Sequence, residues 1–516
     1  MYSKLIKASA GFLGTVTYIL AGTFAPTVES LQQYQAPEWF RDAKFGIYVH
    51  WGVYSVAERG EWYGRNMYEE GSSTYRYHVE TYGHPSKFGY KDLIPLWKAE
   101  RFDADAWLTL FQEAGARYFV PCAVHHDGFC LWDTAYTPYN AVKMGPHKDL
   151  IGLLHTATLA HGLRFGVTTH FARTLSWMQL SHGSDTQGPL RGVPYDGADP
   201  RYQDLYMLNY FDHNAADTVN PPVIWREYWR LRILELAAKY HPDLLYLDSA
   251  VPFAGEDHGR TGLGVFAEFY NQNQKWHDGR QEGVITYKGD DRMGDGKSAA
   301  AEWAAATPFF PGVGTLDIER GKAKRIEQAP WQTDDSIGPW GYQKNAQYKD
   351  AATVIHKLVD IVSKNGNLLL NVPPRADGTF DEATVNLLRD VGTWLKINGE
   401  AIYFTRPWRV FGEGPEISQN PRANRSSYTA SNIRFTCAKD GKSTYGIFLG
   451  WPGPKTEVVI KSFAPGETGT AIRVKSVHLL GSPSAVVWRQ DNEGLHMQTP
   501  AQAPSELAIS FRIETD

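Results

Sequence analysis

Five short apolar runs in this chain each close on a side chain able to do acid–base or hydrogen-bonding chemistry. Residues 44–50 (KFGIYVH) end on His50, 117–125 (RYFVPCAVH) on His125 with His126 next to it, and 164–170 (RFGVTTH) on His170. Residues 242–248 (PDLLYLD) end on Asp248, and 283–288 (GVITYK) on Lys288. A carboxylate fixed at the end of a rigid strand is well placed to be a nucleophile or a general base. The same position also suits an ordinary aspartate that caps the following turn. The adjacent histidines His125 and His126 could suggest a metal. Neighbouring strand residues point to opposite faces, however, and no spaced Cys or His partner completes a ligand set, so no metal is expected. Two imidazoles serving as hydrogen-bond partners for hydroxyl groups fit better; one of the pair could instead be a satisfied core histidine. Glu61-Trp62-Tyr63 joins a carboxylate to aromatic surface, and Asp317, Glu319 and Glu327 supply further acids near residues 330–333. Two carboxylates with different tasks are what cleavage of a glycosidic bond requires.

These residues are far apart in sequence, so the fold must gather them. The five runs, and a sixth at 367–373 (NLLLNVP), read as parallel strands covered on both faces. Amphipathic helical patterns lie between them, the clearest at 224–240 and 349–363. Strands alternating with helices over 30–397 indicate an α/β domain, and its length and number of units favour a (β/α)-barrel. In a barrel the C-terminal ends of all strands meet at one mouth, which would place the histidines, Asp248 and Lys288 in one pocket. From 398 to 516 the pattern changes to alternating runs (444–451, 457–463, 505–513) separated by Gly and Pro turns. That segment is expected to be a C-terminal antiparallel β-sandwich, packed against the barrel.

Composition narrows the function classes. The formal net charge is −5 with no long basic run, so a nucleic-acid partner has no electrostatic support. Aromatic residues are 13% of the chain, with 17 Trp, a surplus that supplies core mass and flat apolar faces for sugar rings. Three cysteines make no disulfide framework. Lys4 and Lys7 precede an apolar stretch at 8–25, so residues 1–25 read as a signal peptide, with a retained anchor as the other reading. The expectation is a secreted or periplasmic protein with no membrane contact after processing.

Residues 39–40 (WF), 44–52 (KFGIYVHWG), 61–63 (EWY), 125–129 (HHDGF), 132–133 (WD), 148–150 (KDL), 363–372 (SKNGNLLLNV) and 398–403 (NGEAIY) occur in an order that resembles glycoside hydrolase family 29, the α-L-fucosidases. The resemblance implies a retaining exo-hydrolase that releases terminal α-L-fucose by double displacement, with no cofactor or metal. Its partners would be fucosylated oligosaccharides or glycoconjugates. By motif, Asp248 would be the nucleophile; His50, Glu61, Trp62, His125 and His126 would contact the sugar; and Trp340 would wall the C6 methyl. Glu319 is the first choice for the general acid/base, with Glu327 and Glu61 as alternatives. Thr168-Thr169-His170 departs from the family's aromatic-rich pattern, which leaves the role of His170 open, and Lys288 falls near another basic contact. The competing readings are a glycosidase for a different sugar and an inactive or narrow-linkage carbohydrate-binding protein on the same scaffold. The presence of Asp248 argues against a dead site.

Overall fold

The computed structural model describes residues 23–208, 220–253, 255–288, 310–415, 422–465 and 472–516. Most of the expected leader, residues 1–22, lies outside them. Among the described residues no helix is long and apolar enough to cross a membrane.

Eight parallel strands close into a barrel in sequence order: β1 (Phe45–Val49), β2 (Tyr118–Val124), β3 (Arg164–Thr169), β4 (Leu244–Leu247), β5 (Val284–Lys288), β6 (Thr315–Asp317), β7 (Trp331–Ser336) and β8 (Gly366–Asn371). The seam is β8 against β1, with Phe45 paired to Leu368 and Tyr48 to Asn371. Burial on both faces accounts for the continuous apolar runs in β1, β2, β4 and β8. The barrel is a packed core. Gly46 lets the Tyr118 ring lie flat against the backbone of β1, where a Cβ would come within 2.4 Å of that ring.

Six of these strands correspond to the six apolar runs; β6 and β7 do not. β6 has three residues, and β7 (WQTDDS) is polar although all six of its residues are buried. The two expected helices occur at Val223–Tyr240 and Ala351–Ser363. Asp149, within the KDL motif, caps the helix Leu150–Ala160 by accepting from the Gly152 N–H at 2.9 Å.

After the helix Glu382–Asn398 the described residues form eight antiparallel strands: β9 (Thr405–Glu413), β10 (Ile433–Ala438), β11 (Ser443–Phe448), β12 (Glu457–Ile460), β13 (Val474–Leu479), β14 (Trp488–Asp491), β15 (Gly494–Gln498) and β16 (Ile509–Thr515). They form a five-stranded sheet ordered β13-β16-β11-β10-β9 and a three-stranded sheet ordered β12-β15-β14. Ile433, Phe435, Phe511 and Ile513 from the first sheet share a core with Val458, Ile460, Leu495 and Met497 from the second. Polar ties fasten this unit to the barrel. The Trp394 indole donates to the Ala508 carbonyl, Tyr445 donates to Glu400, and Arg434 on β10 pairs with Asp360 at 2.6 Å. Cys122, Cys130 and Cys437 are free thiols.

Candidate active site

The pocket is built where the barrel strands end. Asp248 follows β4 directly, His170 follows β3, Lys288 ends β5, His50 follows β1, and His125–His126 follow β2. The His170 Nδ1 lies 2.9 Å from one Asp248 oxygen, with the His126 Nε2 at 3.8 Å from the same atom. The Lys288 ammonium lies 3.7 Å from the other oxygen. Burial pushes the Asp248 carboxyl up, but His170, Lys288 and His126 outweigh it and hold the group well below the usual carboxylate range. A carboxylate held ionised at a strand end is chemically able to act as a nucleophile.

Glu319, two residues past β6, brings its Oε2 to 3.6 Å from the same ammonium. Here burial raises the carboxyl; Lys288 pulls it down, and Asp334 and Asp248 push it up again, leaving a net rise. Two carboxyls on either side of one lysine are therefore biased to opposite protonation states, the condition for a nucleophile and a proton donor to coexist.

Burial holds the imidazoles of His50, His125 and His126 low, and hydrogen bonds orient His50 and His126. The Asn371 side chain donates to the Trp340 carbonyl at 2.8 Å and to Ser336 at 2.9 Å, which turns its oxygen toward His50. That oxygen accepts from both the backbone N–H and the Nδ1–H of His50 at 2.9 Å. Burial above all lowers the His50 imidazole to about 3, so its Nε2 presents a lone pair. His126 donates its Nδ1–H to the His170 carbonyl at 2.6 Å and presents Nε2 in the same way. The His125 Nδ1 and the His170 Nε2 are buried without a hydrogen-bond partner. Buried polar atoms left open inside a pocket are ligand-facing by default. His50, His125 and His170 offer nitrogens within 4.8 Å of one another, as do His126 and His170 with an Asp248 oxygen. Both sets have the donor types and spacing to hold a metal ion.

The rim is aromatic. Trp62 lies 5.8 Å from the His126 ring, and the guanidinium of Arg173 lies 5.6 Å from the Trp62 ring. Trp340 lies 5.5 Å from the His50 ring, and the Arg320 guanidinium lies 4.3 Å from the centre of the Trp340 ring. Glu61 is buried, accepts from the Gly341 N–H at 2.7 Å, and is raised chiefly by burial. Glu327 is placed elsewhere: its backbone bonds to Lys364, before β8 begins, and its carboxylate pairs with Arg325 at 3.5 Å. It belongs to the opposite end of the barrel from the mouth.

Sequence reasoning left His170 open, yet it is the nearest partner of Asp248. It missed Asp334, Arg173 and Arg320, and it saw Asn371 only as part of a motif. Arg173 is held down to about 10, burial working against the pull of Asp248 and Glu319. Some motif residues are structural: Trp132 and Thr134 both donate to Glu235, at 3.1 and 2.6 Å.

Residues 14–400 match the family described as Alpha-L-fucosidase, and residues 426–514 match the Alpha-L-fucosidase C-terminal domain. The human plasma alpha-L-fucosidase is 30% identical over 443 residues, covering 84% of this chain and 80% of its own. The plasma alpha-L-fucosidase of Pongo abelii is 29% identical over 490 residues, covering 93% and 90%. The crystal structure of the Thermotoga maritima alpha-fucosidase in complex with fucose is similar at a TM-score of 0.68 and 28% identity, covering 95% of this chain and 100% of that one.

Proposed function

We propose a specific reaction for this chain, which belongs to the α-L-fucosidase family, glycoside hydrolase family 29: it removes terminal α-L-fucose from glycans or glycoconjugates by a retaining double displacement. The observation that carries the reading is the pair of carboxyls on either side of Lys288, Asp248 held well below the usual carboxylate range and Glu319 raised above its own.

In the first step an Asp248 oxygen attacks the anomeric carbon while Glu319 gives its proton to the departing glycosidic oxygen. In the second, Glu319, now ionised, takes a proton from water, which attacks the same carbon and frees both fucose and Asp248. The geometry required at the moment of attack is a carboxyl separation near ~5–5.5 Å. His170 and Lys288 keep the nucleophile ionised and aimed. The lone pairs of His50 and His126 accept from sugar hydroxyls, with His125, Glu61 and Trp62 completing the polar side. Trp340 covers the C6 methyl, where a galactose-like sugar would carry a hydroxyl. The fucose bound by the similar T. maritima enzyme supports the sugar assignment. We read residues 1–25 as a signal peptide for a secreted or periplasmic location, a reading supported by the plasma relatives.

The test is hydrolysis of an aryl α-L-fucoside by the wild type and by Asp248→Gly, with an aryl β-D-galactoside as control. Fucoside turnover that drops about 10⁴-fold or more in the variant, with the galactoside inert, is expected. Equal rates for the two proteins would remove Asp248 from the chemistry, and turnover of the galactoside would remove the sugar assignment.

A further inference from the structure

Beneath the two catalytic carboxyls lies a second pair that the double displacement does not use. Asp317 ends β6 and Asp334 lies on neighbouring β7, with side chains 0% and 3% exposed. Lys288 donates to both, at 2.9 Å to Asp317 and 2.8 Å to Asp334. The two carboxyls also share the Tyr246 hydroxyl, 3.2 Å from Asp317 and 2.9 Å from Asp334, so two buried acids crowd the same partners and the arrangement favours a proton on one of them. The remaining contacts show which. Tyr48 and Tyr246 both donate to the same Asp334 oxygen, at 3.0 and 2.9 Å, so Asp334 is the acceptor-rich, ionised member. Asp317 accepts from Gln332 at 2.8 Å and lies 3.2 Å from the Tyr246 hydroxyl, leaving it to donate toward Asp334.

We propose that Asp317 and Asp334 share one proton, and that the single negative charge left on the pair cancels the charge of Lys288 so that Glu319 can remain protonated as the general acid. The proposal rests on the reading of Glu319 as the proton donor and makes Asp317 and Asp334 positioning residues for it. Two buried carboxylates in contact cannot both ionise against a single ammonium. Were neither ionised, the ammonium would be free to draw the proton off Glu319. With one ionised, Lys288 holds Glu319 in place without stripping it. The groups facing Lys288 are Asp317, Asp334, Glu319 and Asp248; those facing Glu319 are Lys288, Asp334, Asp248, Arg320 and Arg173. The directions agree: burial and Asp334 hold Asp317 well above the usual carboxylate range, whereas Asp334 is held low against its burial, chiefly by Lys288.

The pH dependence of kcat/KM in four full-length proteins tests this. In Asp317→Asn or Asp334→Asn alone, the remaining carboxyl ionises and still balances Lys288, so the alkaline limb should stay within about 0.5 unit of wild type. In the double variant D317N/D334N the charge of the pair is gone and only Asp248, 3.7 Å away, still faces Lys288 as an ionised carboxylate, so the alkaline limb should fall by about 1–3 units. A double variant with the wild-type limb, or a single variant that moves it as far as the double, overturns the proposal. The shared proton has a readout that needs no catalysis and survives poor folding of the double variant. Infrared difference spectra at neutral pH between Glu319→Gln and E319Q/D317N should show loss of one protonated-carboxyl C=O band. No band lost means no shared proton. A band lost without a limb shift overturns the link to Glu319. E319Q then separates that failure from a wrong acid assignment, since it stays active on every leaving group if Glu319 is not the acid.

Discussion

Two buried ionic clusters in this protein have inverse charge ratios and opposite purposes. At the junction of barrel and sandwich, Asp360 is met by Lys364 at 2.7 Å, Arg434 at 2.6 Å and Lys322 at 3.7 Å. At the barrel mouth one ammonium, Lys288, meets Asp317, Asp334, Glu319 and Asp248 within 3.7 Å. In the first cluster cations outnumber the acid, which lies well below the usual carboxylate range despite burial, through Lys364, Arg434 and Lys322. It locks two units together and has no second protonation state to use. In the second cluster four acids face one lysine, which favours a proton on one of them, and open histidine atoms adjoin it. Surplus carboxyl around a single cation is what distinguishes a site of proton transfer from a structural tie.

That comparison can be broken from either side. The larger effect is expected at the mouth: Glu319→Gln should lose about 10²–10⁴-fold in kcat/KM on a fucosylated glycan. It should lose far less on a dinitrophenyl fucoside, whose leaving group departs without a proton. Equal losses on the two substrates would mean that Glu319 is not the donor. The smaller effect belongs to the tie. Asp360→Asn strands three cations and should lower unfolding stability by about 3–5 kcal/mol while leaving turnover per folded molecule unchanged. Because the Asp360 carboxyl is depressed in the folded state, its contribution is fully present above the unfolded value of about 3.9 and is lost as pH falls below it. The gap between variant and wild type in chemical denaturation should therefore close as pH drops from 6 toward 3. A gap that widens would contradict the assignment.

Much of the mouth was legible from sequence because barrel strands buried on both faces leave an apolar signature that ends sharply at a polar residue. His50, His125, His170, Asp248 and Lys288 were all found that way. β7 hid Asp334 because its buried positions are polar, satisfied inside the barrel by Lys288, Tyr48 and Tyr246, and no periodicity rule flags such a strand. β6 is too short to register. Arg320 lies in a loop and Arg173 in the single helical turn Phe171–Arg173, where position depends on partners distant in sequence. Glu319 and Glu327 are indistinguishable as residue types eight positions apart; only the fold sends one to each end of the barrel. The sandwich was visible through its turns and alternation, whereas its fastening to the barrel through Asp360 and Arg434 joins residues 74 positions apart and left no local trace.

The most direct test of the central claim is chemical rescue with azide, reading the anomer of the fucosyl azide formed from an activated fucoside by NMR. With Glu319→Gly, Asp248 still forms the covalent intermediate, and azide entering where water would should yield the α-azide with retained configuration. With Asp248→Gly, azide enters in place of the missing nucleophile and should yield the β-azide. The opposite pairing, or the same anomer from both variants, would contradict the assignment of Asp248 as nucleophile and Glu319 as acid/base.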